Sequence, residues 1–312
     1  MEHQRKESNI EIQRKGSDME NQRKESKIKN QRKESKIENQ RKGSNGVTLL
    51  IAGSELYTGS AYLVCQSAFK TGTDLVYIMT SGDRNIISLK TLCPEAIVID
   101  VQSYFKYKWI FARVTCVVFG PGLSRAENIK NFEVLDYFID ERPEIPIIVD
   151  GDGFYLMAKY QNYRKDCKRF KNLFLTPNFN EVNFRIESLG ENVYKIEKGP
   201  VDKIFADSDI FCEISEFGCK RRCAGQGDIL VGILSSFLNK PYFLFCINIC
   251  ALSSLFMRFA AKRCYGEKKF SMMARDILEY LDYESLVGLI DSLASDGVHA
   301  EMLELLSRLL DD

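Results

Sequence analysis

The sequence predicts an α/β fold, a mostly parallel central sheet covered by helices on both faces. Two observations carry that reading. Short apolar runs ending at Gly or Asp recur along the chain, and stretches with helical apolar spacing lie between them. Strands buried on both sides read as continuous apolar runs, and their alternation with helices calls for parallel crossovers. The first strand is VTLLIAG (47–53), followed by a helix over 59–71 and a strand at DLVYIMT (74–80). AIVI (96–99), TCVVFG (115–120) and IPIIVDG (145–151) are further strands, with a helix over 125–141 between the last two. LFLTP (173–177) is one more, closed by proline. Residues 193–214 read as short strands, as in hairpins at one edge. Helices are expected over 226–238, 242–265 and 271–281. The spacing in 285–310 adds a C-terminal helical extension (285–312), read as one more packed surface helix.

Residues 1–45 have a different texture. QRK[EG]S begins at Gln4, Gln13, Gln22, Gln31 and Gln40, a period of nine residues. Nine helical steps cover two and a half turns, so equivalent residues such as Ile28 and Ile37 fall on opposite faces and no apolar stripe forms. With so few hydrophobic residues, the segment is expected to be a disordered basic arm. It is either a tether to an anionic surface or RNA, or a slipped repeat with no specific role. The body, 46–284 and beyond, carries slightly more acid than base. Nucleic-acid reading by the body is therefore not expected, and no run of 18 apolar residues suggests a membrane span. The ten cysteines sit partly inside apolar runs and no apolar leader precedes them, which points to a reducing, cytoplasmic setting. A metal pair at Cys219 and Cys223 lacks the spacing that would complete a tetrahedral site. The two histidines, His3 and His299, lie near the chain ends, which excludes a histidine-based triad or general base. A homo-oligomer stays open.

In open α/β sheets ligands bind beyond the carboxyl ends of the strands. The candidates are therefore Gly53-Ser54, Gly120-Pro121-Gly122, Asp150-Gly151-Asp152, Thr176-Pro177-Asn178 and Lys198-Gly199. GCKRRCAGQGDILVGIL (218–234) is the most informative stretch. Its glycines let successive amides converge at a helix start, whose dipole favours anions. Asp228 at that mouth suits a base that takes a proton from an attacking hydroxyl, or else it is an N-cap. Lys220, Arg221 and Arg222 favour a polyphosphate ligand. Asp150 and Asp152 hold Mg²⁺ through water or order a turn; Lys198 to Asp202 form a β-turn or place Lys198 on a phosphate. Neither a P-loop nor a G-x-G-x-x-G unit occurs.

These motifs, taken together, resemble the ATP-dependent NAD(P)H-hydrate dehydratases of the ribokinase-like superfamily. The matching pieces are GSELYTGSAYLVCQSAFKTGTDLV (53–76), CPEAIV (93–98), VVFGPGLSR (117–125), IIVDGDGFYLM (147–157), LTPNFNE (175–181), KGPVD (198–202) and RRCAGQGDILVG (221–232). The resemblance implies a ribokinase-like catalytic domain over 46–284 and a repair reaction. ATP phosphorylates the hydroxyl of the S epimer of hydrated NADH or NADPH, and loss of phosphate restores the reduced cofactor, with Mg²⁺ accompanying ATP. It implies that Lys198, Gly199, Pro200, Val201 and Asp202 contact ATP. The same holds for Gly218, Cys219, Lys220, Arg221, Arg222, Cys223, Ala224, Gly225, Gln226 and Gly227. Gly122, Asn178, Phe179, Asn180, Glu181, Val182, Asn183, Phe184 and Asp228 would face the hydrate, with Asp228 the catalytic base. Ala224 departs from the glycine usual there. The alternatives are a ribokinase-like kinase acting on a vitamin-type alcohol, and a non-catalytic binding protein.

Overall fold

A computed structural model describes residues 43–125, 129–163, 169–240 and 246–295. The body contains one nine-stranded sheet in the order β3-β2-β1-β4-β5-β6-β7-β8-β9. Its strands are β1 (Val47–Ile51), β2 (Leu75–Thr80), β3 (Ile97–Asp100), β4 (Cys116–Phe119), β5 (Ile147–Val149), β6 (Phe170–Leu175), β7 (Gly190–Glu197), β8 (Asp202–Ala206) and β9 (Asp209–Ile214). Pairing is parallel from β3 through β7 and antiparallel for β7–β8 and β8–β9. The edge hairpins expected over 193–214 are these last three strands.

Successive strand residues point to opposite faces, and each face has its own core. Leu50, Ile78, Val118, Ile148 and Phe174 pack with α1 (Thr58–Lys70) on one side. On the same side lie α5 (Gln226–Leu238) and α6 (Cys246–Lys268). Leu49, Tyr77, Val117, Phe119 and Ile147 meet α3 (Ile129–Glu141) and α4 (Asp152–Tyr163) on the other. These are the two covered faces read from the apolar runs. Each fully buried Val, Leu or Ile side chain stabilises the fold by about 1.5–3 kcal/mol.

Three helical segments had no counterpart in the expected elements. They are α2 (Asp83–Leu92), α4, and tight helical turns over Val101–Arg113 kinked at Tyr107. The helix expected over 271–281 is a single turn, α7 (Ala274–Ile277), continued by a tighter turn at Leu278–Tyr280. α8 (Tyr283–Ser295) packs on α6, with Leu289 and Leu293 in the core. The repeat arm (1–42), the starts expected for two helices (126–128 and 242–245) and residues 296–312 lie outside the described residues. Among the described residues no helix is long and apolar enough to cross a membrane.

At the start of the body, the backbone amide and side chain of Asn45 donate to the Asp74 carboxylate at 3.1 and 3.2 Å. Lys240 in turn donates to the Asn45 side-chain oxygen Oδ1 at 3.2 Å.

Candidate active site

The carboxyl ends of β1, β4, β5, β6 and β7 lie side by side in the sheet, so the loops that leave them share one edge. Close backbone approach knits these loops together. Gly53 donates to the Pro121 carbonyl at 2.8 Å. Gly120 adopts φ +121°, and a Cβ there would sit 2.5 Å from Gly153 Cα. Gly122, at φ +61°, leaves no room for a side chain against Tyr57 and Ser60, whose Cβ atoms would be 2.8 and 2.9 Å away. The GPG turn and the start of α1 are therefore one packed unit.

α5 points its N-terminus at this edge. Gly225 caps it at φ +96° in the left-handed region, where a Cβ would press on Leu63 and lie 2.8 Å from Ala274 Cβ. The amides of Gln226, Gly227 and Asp228 then open the helix, and first-turn amides have no intrahelical acceptor. Asp228 stands in that first turn, and the Ser60 side chain is among the groups that favour its charged form. Burial pushes Asp228 up to about 7, with the Asp150 and Glu181 carboxylates adding and Lys198 and Ser60 opposing.

Lys198, at the end of β7, reaches across to form a buried ion pair with Asp150 at the end of β5. The side chains keep only 12% and 6% of their surface. Asp150 also accepts from Thr176 Oγ1 at 2.7 Å. The Lys198 ammonium lies 3.2 Å from where a Cβ on Gly227 would be, so it stands beside the first turn of α5. Burial alone would lower its proton affinity, but the Asp150, Glu181 and Asp228 carboxylates outweigh it and hold the ammonium above its ordinary value. Asp150 is thus the counter-ion of Lys198, and Asp152 begins α4 with Arg125 Nε 3.9 Å away. Among the described residues no three Asp, Glu, Cys or His side chains gather as a metal cage.

A cavity of about 210 Å³ opens beside these groups. Lys198, Gly199, Pro200 and Asp202 line one wall; Gly218, Cys219, Arg221, Arg222, Gln226 and Gly227 line another. Those ten were expected from the sequence. Val201, Lys220, Cys223, Ala224 and Gly225 flank the cavity in sequence without lining it; Lys220 and Ala224 are exposed, and the Cys223 thiol accepts from Gln226 Nε2 at 3.6 Å. Phe217, Leu230, Met257, Arg258 and Ala261 complete the lining, and sequence reasoning missed them. Arg258 is the most consequential. It donates from α6 to the carbonyls of Pro200 (2.9 Å), Ser215 (3.2 Å) and Glu216 (2.8 Å), and pairs with Asp202 at 3.4 Å. Asp202 also accepts from the Gly199 amide and the Ser254 hydroxyl at 2.9 and 2.6 Å. Asp202 therefore shapes the 198–202 turn with its carboxylate fully engaged. Arg221 Nε donates to the Met272 carbonyl at 2.8 Å, fixing the basic loop.

On the other side of Lys198, Asn178 and Glu181 build a compact turn. Asn178 donates through Nδ2 and its amide to the Glu181 carboxylate at 2.7 and 2.9 Å. Phe179 is 88% exposed, and Asn180, Val182 and Asn183 are exposed as well. Phe184 packs edge-on against Tyr155 at 6.2 Å and joins the core beneath. Ser60, also missed, lay within the YTGS segment without a signal of its own.

The family model described as NAD(P)H-hydrate dehydratase matches residues 48–282. This chain belongs to that family. Curated relatives named ATP-dependent (S)-NAD(P)H-hydrate dehydratase include one from Entamoeba histolytica, 30% identical over 76% of this chain and 85% of its own length. Another, from Ciona intestinalis, is 31% identical over 62% of this chain but only 60% of its own length. Solved structures bear out the ribokinase-like fold. A ribokinase-like superfamily protein from Enterococcus faecalis superposes with a TM-score of 0.63 at 19% identity, covering 79% of this chain and 89% of that one. A hypothetical protein from Streptococcus mutans gives 0.65 at 23% identity, covering 78% and 90%. The matched range includes the start of α5, with the glycines and the aspartate on which the sequence reading rested.

Proposed function

We propose that the protein uses ATP to dehydrate the S epimer of hydrated NADH or NADPH, phosphorylating the ring hydroxyl and then losing phosphate. The observation that carries this is the placement of Asp228. Its carboxylate, held near neutral proton affinity, sits on the same helical turn as amides suited to a transferring phosphoryl group. Asp228 takes the hydroxyl proton as the oxygen attacks the γ-phosphorus. The amides of 225–228 and the Lys198 ammonium balance charge on the moving phosphoryl group. Residues 198–202 and 218–227 bind the nucleotide; Gly122, Asn178–Phe184 and Asp228 bind the hydrate.

Mg²⁺, when bound with the triphosphate, would offset its negative charge; of the two carboxylates at this edge, Asp150 pairs with Lys198 and Asp152 has Arg125 nearby. A cytoplasmic setting is supported by thiols buried as small hydrophobes, such as Cys65, Cys116 and Cys250. Incubation with ATP and the hydrate should restore the absorbance of reduced nicotinamide. A vitamin-type alcohol phosphorylated in preference, with no return of that absorbance, would overturn the reading in favour of a kinase.

A further inference from the structure

Large apolar side chains that stand exposed one at a time are ordinary on a protein surface, whereas a contiguous group of them marks a surface that meets something. Such a group lies between β3 and β4, in Phe105-Lys106-Tyr107-Lys108-Trp109, where all five residues are exposed. Phe105 keeps 59%, Tyr107 40% and Trp109 65% of its surface in solvent. The backbone explains the run. Tyr104 before it and Ile110 and Phe111 after it are buried in the core of this face, so the ridge is pinned at both ends. The kink at Tyr107 interrupts the helical turns, and without a regular period no side chain between the two anchors is turned inward.

Apolar neighbours extend the ridge. Tyr107 and Trp109 line a recess of about 560 Å³ together with Ile86, Ile97 and Ile110. Ile97 is itself exposed, on the open edge of β3, which pairs with β2 alone. Cations are interleaved with the rings. Lys106 Nζ lies 5.8 Å from the Phe105 ring centroid, and Lys108 and Lys130 lie 5.5 and 6.0 Å from that of Tyr104. Glu133, the carboxylate among them, is engaged by the Tyr104 hydroxyl at 2.8 Å and by Lys130 at 2.9 Å. Among the described residues neither Lys106 nor Lys108 forms an ion pair. Asp83, Lys90 and Asp100 also line the recess, and Asp100 accepts from the Gln102 amide at 3.0 Å. The recess is thus mixed in charge, and the cationic excess belongs to the ridge.

We propose that this ridge docks the protein on an anionic lipid surface. Trp and Tyr rings settle at headgroup level, and a Phe ring reaches the acyl boundary. Lys stems run along the apolar layer while their ammonium groups meet headgroup phosphates. With two such lysines the contact is weak and reversible. Charge separates this partner from others. A second copy seated on the ridge about a twofold axis would set Lys106 and Lys108 against their own equivalents. A nucleic-acid strand would stack on the rings, but Ile86 and Ile97 offer its bases no hydrogen bond, and the body carries slightly more acid than base. A bilayer surface senses only charges within about 10 Å, so the cations of the ridge decide. In the sheet, β2, β1 and β4 separate this edge from β5 and β7, which carry Asp150 and Lys198 at their ends.

Trp109 is the single tryptophan of the chain, so intrinsic tryptophan emission reads the ridge alone. The test titrates the full chain at low salt with vesicles of phosphatidylserine and phosphatidylcholine in equal parts, following that emission and co-sedimentation. Emission should shift to the blue and strengthen as the protein sediments. Both effects should be absent with phosphatidylcholine alone and reversed by added salt. Lys106→Glu combined with Lys108→Glu should weaken vesicle binding on the order of tenfold or more, with melting temperature unchanged. Phe105→Ser should weaken it as well, and salt should reverse what binding remains. Unmoved emission on the anionic vesicles overturns the proposal, and so does an equal response to phosphatidylcholine alone. Sedimentation that survives the charge reversal with emission unmoved also overturns it, and assigns the contact to another part of the chain. A blue shift that grows with protein concentration in the absence of vesicles overturns it in favour of a second copy. A larger shift with polyuridylate than with vesicles does so in favour of nucleic acid.

Discussion

Asp228 combines two demands that pull against each other. As a base it must lose its proton near working pH, and as a half-buried, partly desolvated group it resists doing so. With its proton affinity pushed up to about 7, kcat/KM should fall as pH drops through that value. Asp150→Asn removes a repelling carboxylate and frees Lys198, so the acid limb of the profile should move down by on the order of one pH unit. An unmoved limb would assign it to another group. The same shift sets a stability trend. An unfolded aspartate titrates near about 3.9, so between about 4 and 7 the folded state binds more protons, and stability falls as pH rises across that window. Asp228→Asn should therefore melt higher than wild type at pH 8, by roughly a few degrees, and show no such gain at pH 4. An inactive variant with an unchanged or lower melting temperature at pH 8 would remove the burial penalty from the account. Asp228 was legible because it follows G-x-G and opens an apolar helix. Lys198 and Asp150 were legible as candidates but their pairing was not: they lie 48 residues apart and meet only because β5, β6 and β7 are adjacent.

Elements, not single groups, build the nucleotide cavity. The 198–202 turn is clamped from α6 through Asp202, which gathers the Gly199 amide, Ser254 and Arg258. Asp202→Ala would strand the buried end of Arg258 and free the turn, costing about 3–5 kcal/mol in urea unfolding together with weaker nucleotide binding. Full nucleotide affinity in that variant would show that the turn holds its shape unaided. α5 was legible as an uninterrupted apolar helix after glycines, whereas nothing in α6 marks Arg258 as the clamp. α4 was missed although Phe154, Met157 and Tyr160 recur at helical spacing, because it starts directly from the DGDG turn. The 101–113 segment was missed because its tighter turns and the kink at Tyr107 break the 3.6-residue period.

At the scale of the whole molecule, the parallel topology gathers loops distant in sequence along one edge, and that much followed from apolar runs ending in Gly or Asp. The antiparallel β7–β8–β9 hairpins extend the sheet beyond the site. All nine strands and both cores lie between Val47 and Leu293. Removal of residues 1–42 should leave melting temperature and turnover unchanged. A cut after residue 45 should lower the melting temperature, because Asn45 ties Asp74 to Lys240. Equal behaviour of the two truncations in a thermal scan would show that this tie is idle.

The Lys198 ammonium has a further consequence. Hemmed in by Asp150, Glu181 and Asp228, it is already shared among anions before any ligand arrives. Such a floor is a poor trap for a bare inorganic anion, which would bring only more negative charge. A chelated triphosphate brings part of its own compensation, so it is expected to bind there more tightly than bare phosphate, and equal affinities in calorimetry would remove the effect.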